Sequence, residues 1–112
     1  MKAEVEREIA RKPCIMYSLS SCPFCKEAKG ILSGMGAVYT IVEVDVDEGG
    51  MAKKAELGGI IGRTSLPAVF AGGNFLGGCN DGGLGGIATL HKKGELAPLL
   101  IKSGALSATQ RI

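Results

Sequence analysis

Residues 14–35, CIMYSLSSCPFCKEAKGILSGM, carry the reading that decides the fold. They open on Cys14-Ile15-Met16-Tyr17, an apolar run of strand length. From Pro23 the period changes, and Phe24, Ala28, Ile31, Leu32 and Met35 recur at helical spacing. Proline suits a first helical position because its φ is preset and it has no N–H to leave unpaired. Gly34 and Gly36 end the helix. At the junction stands a C-x-x-C pair, Cys22-Pro23-Phe24-Cys25. Cys22 falls at the helix amino cap, where unpaired backbone N–H groups and the helix dipole favour an anion. A thiolate is such an anion, and Lys26 adds positive charge one turn on. A cysteine in that setting ionises well below a free thiol, which makes Cys22 the expected nucleophile. Cys25, one turn inside the helix, is placed to attack a mixed disulfide formed on Cys22.

Working outward, residues 2–12 set Ala3, Val5 and Ile9 on one side of a charged helix that must stop before Pro13. Val38 to Val46 is rich in β-branched strand formers, and a short helix is expected from near Asp47 to Gly58-Gly59. Ala68-Val69-Phe70-Ala71, Gly72-Gly73 and Asn74-Phe75-Leu76 read as a hairpin, with glycines where a tight turn needs positive φ. Residues 80–104 are helical by spacing through Leu84, Ile87, Ala88 and Leu90, then Leu96, Leu99 and Leu100. Residues 105–112 read as a loosely held tail. The β-α-β opening forces a parallel pair and the hairpin adds an antiparallel one. The expected fold is α/β, a four-stranded mixed sheet flanked by helices on both faces, with residues 1–112 as a single domain.

Composition agrees with a globular chain of one domain: 112 residues, 46% hydrophobic and 21% charged. The net charge of +2, from 13 basic and 11 acidic residues, argues against nucleic acid or an anionic membrane as a partner. The charged amino terminus is unlike a secretory leader, so a cytoplasmic protein is expected. With no Trp and five Phe and Tyr residues (three and two), the core must be aliphatic. Four cysteines are too few for a disulfide framework, and in a reducing compartment a C-x-x-C pair reads as redox-active or metal-binding. Zinc would need two further ligands, and Cys14, Cys79 and His91 are not paired at usable spacing. Cys14 is expected to be buried and inert, and Cys79 structural, with a modifiable thiol as its other reading. His91 reads as a solvated residue near a helix end beside Lys92 and Lys93.

The chain resembles the glutaredoxin family of thioredoxin-fold proteins over roughly residues 12–103. The resemblance rests on Tyr17-Ser18-Leu19-Ser20-Ser21-Cys22-Pro23-Phe24-Cys25, on Thr64-Ser65-Leu66-Pro67 and on Gly77-Gly78-Cys79-Asn80-Asp81, and it is strongest toward plant and algal members. It implies a thioredoxin fold and glutathione as cosubstrate. Pro67 is then cis and faces Cys22, and the Leu66 backbone pairs with the cysteinyl part of glutathione. Asn80 and Asp81 hold its γ-glutamyl end at a helix start, where N–H groups suit a carboxylate. The implied glutathione site comprises Ser65, Leu66, Pro67, Gly78, Asn80, Asp81 and Arg63, with Arg63 as a docking charge and Lys54 as a second candidate. Many relatives carry Lys three residues before the nucleophile; here that residue is Leu19.

The function so implied is reduction of protein–glutathione mixed disulfides and protein disulfides by a monomer, through Cys22 and Cys25, with no metal. Two alternatives stand beside it. One is a dimer holding a glutathione-ligated [2Fe–2S] cluster, disfavoured by Pro23 because cluster-binding relatives generally carry a small residue there. The other is a redox adaptor that binds regulatory partners through its carboxyl end.

Overall fold

The computed structural model describes residues 2–79 and 85–107. In chain order the elements are α1 (Lys2–Arg11), β1 (Cys14–Ser18), α2 (Pro23–Gly34), β2 (Thr40–Glu43), α3 (Gly50–Ile61), β3 (Ala68–Ala71), β4 (Asn74–Gly77), α4 (Ile87–Lys92) and α5 (Leu96–Ser103). The four strands form one mixed sheet in the order β2-β1-β3-β4. β1 runs parallel to β2 and antiparallel to β3, with Tyr17 opposite Val42 on one side and Ala68 on the other. β3 and β4 close the sheet as an antiparallel hairpin.

Strand alternation divides the core into two layers. Cys14, Met16, Val69 and Ala71 face one side and pack with Ala28 and Leu32 of α2, Ile87 and Ala88 of α4, and Leu96 and Leu100 of α5. Ile15, Tyr17, Ala68 and Phe70 face the other side and pack with Val5 and Ile9 of α1 and Leu57 of α3. The Tyr17 hydroxyl reaches out of that layer and donates to Glu8 at 2.7 Å. Because all five β1 residues are buried, the strand is held on both faces, and the loop leaving its carboxyl end starts from a rigid base.

Four boundaries differ from the sequence reading. α4 begins at Ile87, after Gly86 (φ 97°), and not near residue 80; residues 80–84 lie outside the described ones. β2 stops at Glu43 rather than Val46, because Val46 and Asp47 turn back to the Glu43 carbonyl while Asp47 Oδ2 accepts the Glu43 N–H at 2.9 Å. α3 therefore begins later, at Gly50, and runs through Gly58-Gly59 to Ile61. A Cβ at Gly50 would come within 2.6 Å of Val44 Cα, so glycine is what allows this helix to start against β2. At the carboxyl end, Ala105 and Leu106 are not tail but core, at 1% and 6% exposure. Gly104 (φ 88°) reverses the chain after α5, and the Ala105 N–H closes onto Leu100 O at 2.9 Å. The Ala105 carbonyl in turn accepts the Val38 N–H at 2.7 Å. No helix among the described residues is long and apolar enough to cross a membrane.

Candidate active site

The C-x-x-C pair lies where the carboxyl end of β1 feeds α2. Cys22 is the amino cap, with φ −79° and ψ 121°, and Pro23 follows in the first turn. The backbone N–H of Cys25 donates to Cys22 Sγ at 3.3 Å. Cys22 is partly exposed, whereas Cys25 is fully buried. Two exposed hydrogen bonds tie the intervening loop to the β2–α3 turn: the Ser20 N–H to Asp45 Oδ1 at 3.0 Å and the Ser20 hydroxyl to Asp45 Oδ2 at 2.6 Å.

The environment drives the two thiols apart. Slight burial works against ionisation of Cys22, but it is outweighed by hydrogen bonds from the Cys25 thiol and the Cys25 and Phe24 N–H groups, with the Lys29 charge added. The Cys22 pKa is thereby lowered. Burial raises that of Cys25, and the neighbouring Cys22 raises it further. As pH rises, then, Cys22 ionises before Cys25. A second cation joins the Lys26 of the sequence reading: Lys29, two turns into α2, acts on Cys22, while Lys26 is exposed to solvent. Spacing could have found it, since Lys29 lies four residues after Cys25 and seven after Cys22, on one helix face.

Behind Cys25 lies a polar network that sequence reasoning missed. The fully buried Ser18 donates its hydroxyl to Glu43 Oε1 at 2.8 Å. Lys29 Nζ pairs with Glu43 Oε2, their side chains 21% and 24% exposed. Cys25 Sγ accepts the Leu19 N–H at 3.5 Å.

In front of the thiolate, the Leu66–Pro67 peptide is cis, and Cys22 Sγ lies 3.9 Å from the Leu66 carbonyl. A cleft of about 190 Å³ opens beside it, lined by Phe24, Arg63, Ser65, Leu66, Pro67, Gly78 and Cys79. Arg63 is held at 5.1 Å over the Phe75 ring centroid, a cation–π contact that fixes positive charge on the cleft wall. The structure thus brings Arg63, Ser65, Leu66, Pro67 and Gly78 together with Cys79, and adds Phe24, which the sequence reading had not placed there. Lys54 lies on α3 and does not line the cleft. Asn80 and Asp81 lie outside the described residues.

The remaining candidates stand apart. Cys14 is fully buried in β1, and burial pushes its pKa up to about 11. His91 is exposed in the last turn of α4. Among the described residues, no group of three or more His, Cys, Asp and Glu side chains gathers as a metal site would require. Leu19 is half-buried and packs against the layer containing Tyr17 and Ala68. A thiolate, a resolving thiol, a backbone edge at Leu66 and a cationic cleft wall together suit thiol–disulfide exchange with an anionic thiol ligand.

Comparison with known proteins points the same way. The family model described as Glutaredoxin matches residues 14–76. A rice protein, glutaredoxin-C4, chloroplastic, is 35% identical over 99 residues, covering 88% of this chain and 71% of that one. The crystal structure of a buckwheat glutaredoxin–glutathione complex superposes with a TM-score of 0.85 at 28% identity, over 95% of this chain and 92% of that one. Oxidized glutaredoxin 2 from Chlamydomonas reinhardtii superposes with a TM-score of 0.78 at 36% identity, over 94% of this chain and 98% of that one.

Proposed function

This chain belongs to the glutaredoxin family, and from that premise we propose that it is a thiol–disulfide oxidoreductase that uses glutathione to reduce protein–glutathione mixed disulfides and protein disulfides. The observation that carries this reading is the placement of Cys22 Sγ, held by the Cys25 N–H at 3.3 Å and set 3.9 Å from the carbonyl of Leu66, a residue that lines the cleft.

Glutathione enters that cleft with its sulfur toward Cys22. The Leu66 backbone aligns its cysteinyl unit as an added strand would, and Arg63 meets a carboxylate. Ser65, Pro67 and Gly78 shape the walls, and Asn80 and Asp81 take the γ-glutamyl end. The Cys22 thiolate attacks the glutathione sulfur of the mixed disulfide. A Cys22–glutathione disulfide forms, the protein–glutathione bond breaks, and the protein leaves as a thiolate that takes a proton from water. A second glutathione thiolate attacks the glutathionyl sulfur, giving glutathione disulfide and regenerating the Cys22 thiolate. For a protein disulfide, Cys22 forms the mixed disulfide and Cys25 resolves it by closing the Cys22–Cys25 bond. The exchange needs no metal. The setting that fits it is a monomer in a reducing compartment, the cytoplasm.

The test is a coupled assay containing a glutathione mixed disulfide, glutathione, glutathione reductase and NADPH. Turnover that saturates in glutathione supports the reading; NADPH oxidation no faster than without the protein overturns it.

A further inference from the structure

We propose that Phe75 is a positioning residue for glutathione: its ring holds Arg63 toward a ligand carboxylate and so sets the cleft's preference for an anionic thiol. The proposal deepens the glutaredoxin reading and rests on it. Arg63 meets the ligand, and Phe75 acts through Arg63.

Phe75 lies on β4, an edge strand of the sheet, and stands 37% exposed. It does not line the cleft, whereas Arg63 does. The guanidinium carbon of Arg63 sits over the Phe75 ring, 5.1 Å from its centroid, close enough for the ring quadrupole to attract the charge. The two residues come from separate elements. Gly62, at φ 77°, ends α3 with its N–H on Gly58 O at 3.1 Å, and Arg63 leaves from that reversal. The ring is itself anchored. Phe70 pairs with Phe75 across the hairpin, with centroids 5.1 Å apart. Phe70 is buried and meets the buried Tyr17 of β1 edge-on at 6.3 Å. A ladder of three rings thus runs from an inner strand of the sheet to the cation on the cleft wall.

An arginine side chain on an open wall samples many rotamers, and a ligand that pairs with it must bear the cost of ordering it. A ring that already holds the guanidinium removes that cost from binding. It also leaves the charge whole, whereas a carboxylate in the same place would cancel it. The N–H donors of the guanidinium match a carboxylate in shape and charge. With the γ-glutamyl end of glutathione taken by Asn80 and Asp81, the carboxylate left for Arg63 is the glycyl one. Leucine at position 75 would keep apolar cover on Phe70 and give Arg63 no π face.

The experiment reads the preference directly. Every protein is full length and carries Cys25→Ser, so that a disulfide formed on Cys22 stays there. Each is mixed at low salt with glutathione disulfide, or with the disulfide of glutathione ethyl ester, whose glycyl carboxylates are blocked. The Cys22 adduct is followed by acid quench and mass spectrometry. The otherwise unchanged protein should react faster with the acid than with the ester. Phe75→Leu should slow the reaction with glutathione disulfide about two- to fivefold, the weight of a partly exposed cation–π contact, and leave the ester rate as it was. Phe75→Tyr, which keeps a ring, should restore the preference. Arg63→Gln should abolish it, and Phe75→Leu added to Arg63→Gln should change nothing further, because the two residues act as one unit. If Phe75→Leu does not fold, Phe75→Met takes its place. Alkylation of Cys22 by neutral iodoacetamide should run at one rate in all of them; a change there would move the effect to the thiolate and overturn the proposal. A ring needed only by the sheet would slow both disulfides alike and add to Arg63→Gln, which overturns it too. A full preference surviving in Phe75→Leu or in Arg63→Gln overturns the proposal alone. A protein that takes up no glutathione on Cys22 overturns the functional reading and the proposal with it.

Discussion

The backbone N–H of Cys25 points at Cys22 Sγ from 3.3 Å, so the residue that resolves the disulfide also holds the thiolate that first forms it. This hydrogen bond belongs to the main chain, and it survives any change of the Cys25 side chain that leaves α2 intact. Two roles that share one residue can therefore be separated by substitution.

Cys25→Ser should retain reduction of glutathione mixed disulfides and lose reduction of substrates that require an internal Cys22–Cys25 disulfide. The serine hydroxyl replaces the thiol as a donor to Cys22, and the N–H stays in place. Cys22→Ser should abolish both activities, because a hydroxyl is not a nucleophile at neutral pH without a base to activate it. Parallel assays on a glutathione mixed disulfide and on a protein disulfide decide this. Mixed-disulfide turnover by Cys22→Ser would contradict the assignment of the nucleophile.

The identity of the supporting cation gives a second test. The Cys22 pKa is lowered, so its reactivity toward an alkylating agent persists below the ordinary thiol range and is lost as pH falls through that lowered value. Cys25, which is raised, and Cys14, at about 11, become reactive only as pH climbs past the ordinary thiol range. Lys29→Gln removes a charge that favours the thiolate, so alkylation of Cys22 at mildly acidic pH should slow about two- to fivefold, the weight of roughly 0.5–1 kcal/mol for a partly screened pair. At alkaline pH, where Cys22 is fully ionised, the difference should vanish. Lys26→Gln should change the rate less. Peptide-mapped mass spectrometry after timed alkylation reads all four cysteines at once; a larger effect from Lys26→Gln would restore the cation expected from sequence.

How legible each part was depended on whether its signal is local. Gly72-Gly73 between apolar runs gave the hairpin, because both glycines adopt the positive φ (58° and 86°) that such a turn demands. Pro23 and the period of Ala28 and Leu32 likewise located α2. The end of β2 was not legible: Val44 and Val46 are strong strand formers, but the Asp47 side chain pulls the chain into a turn at Glu43. The cleft was partly legible, since Arg63, Ser65, Leu66, Pro67 and Gly78 were expected there from resemblance to relatives. Ser18, Glu43 and Lys29 come from three elements, and no spacing along the chain announces that they meet.

Position 19 offers a third prediction. Leu19 packs half-buried on the layer beneath the site, while its N–H reaches Cys25 Sγ at 3.5 Å. In Leu19→Lys the aliphatic stem can follow the leucine path and the ammonium can reach solvent beside the cleft. The lost apolar contact should cost about 1 kcal/mol, read as a lower melting temperature. An exposed pair with a glutathione carboxylate gains roughly 0.5–1 kcal/mol, so the apparent KM for glutathione should fall about two- to fivefold at low salt. High salt should erase most of that gain. A KM unchanged at low salt would show that position 19 does not face the ligand.

The last prediction concerns the carboxyl end, where the chain does more than the sequence announced. The reversal at Gly104 places the Leu106 side chain in the layer formed by Leu96, Leu100 and Ala28. The Leu106 N–H also reaches Leu100 O at 3.2 Å, so the segment is anchored by its backbone as well as by burial. Leu99 is the reverse case: by spacing it belonged with Leu96 and Leu100, but it stands 37% exposed. Leu106→Ala should therefore destabilise the fold by about 2–3 kcal/mol, the lower part of the range for truncating a buried leucine, since the site lies at the edge of the core and can partly collapse. Leu99→Ala should cost less than about 1 kcal/mol, because part of its surface never left water. Both are read from urea unfolding as shifts in midpoint at constant slope. Because Ala105 O accepts the Val38 N–H, loosening this segment also frees the connection between α2 and β2, and hydrogen exchange at Val38 should quicken in Leu106→Ala. A Leu106→Ala midpoint equal to that of wild type would return these residues to the tail.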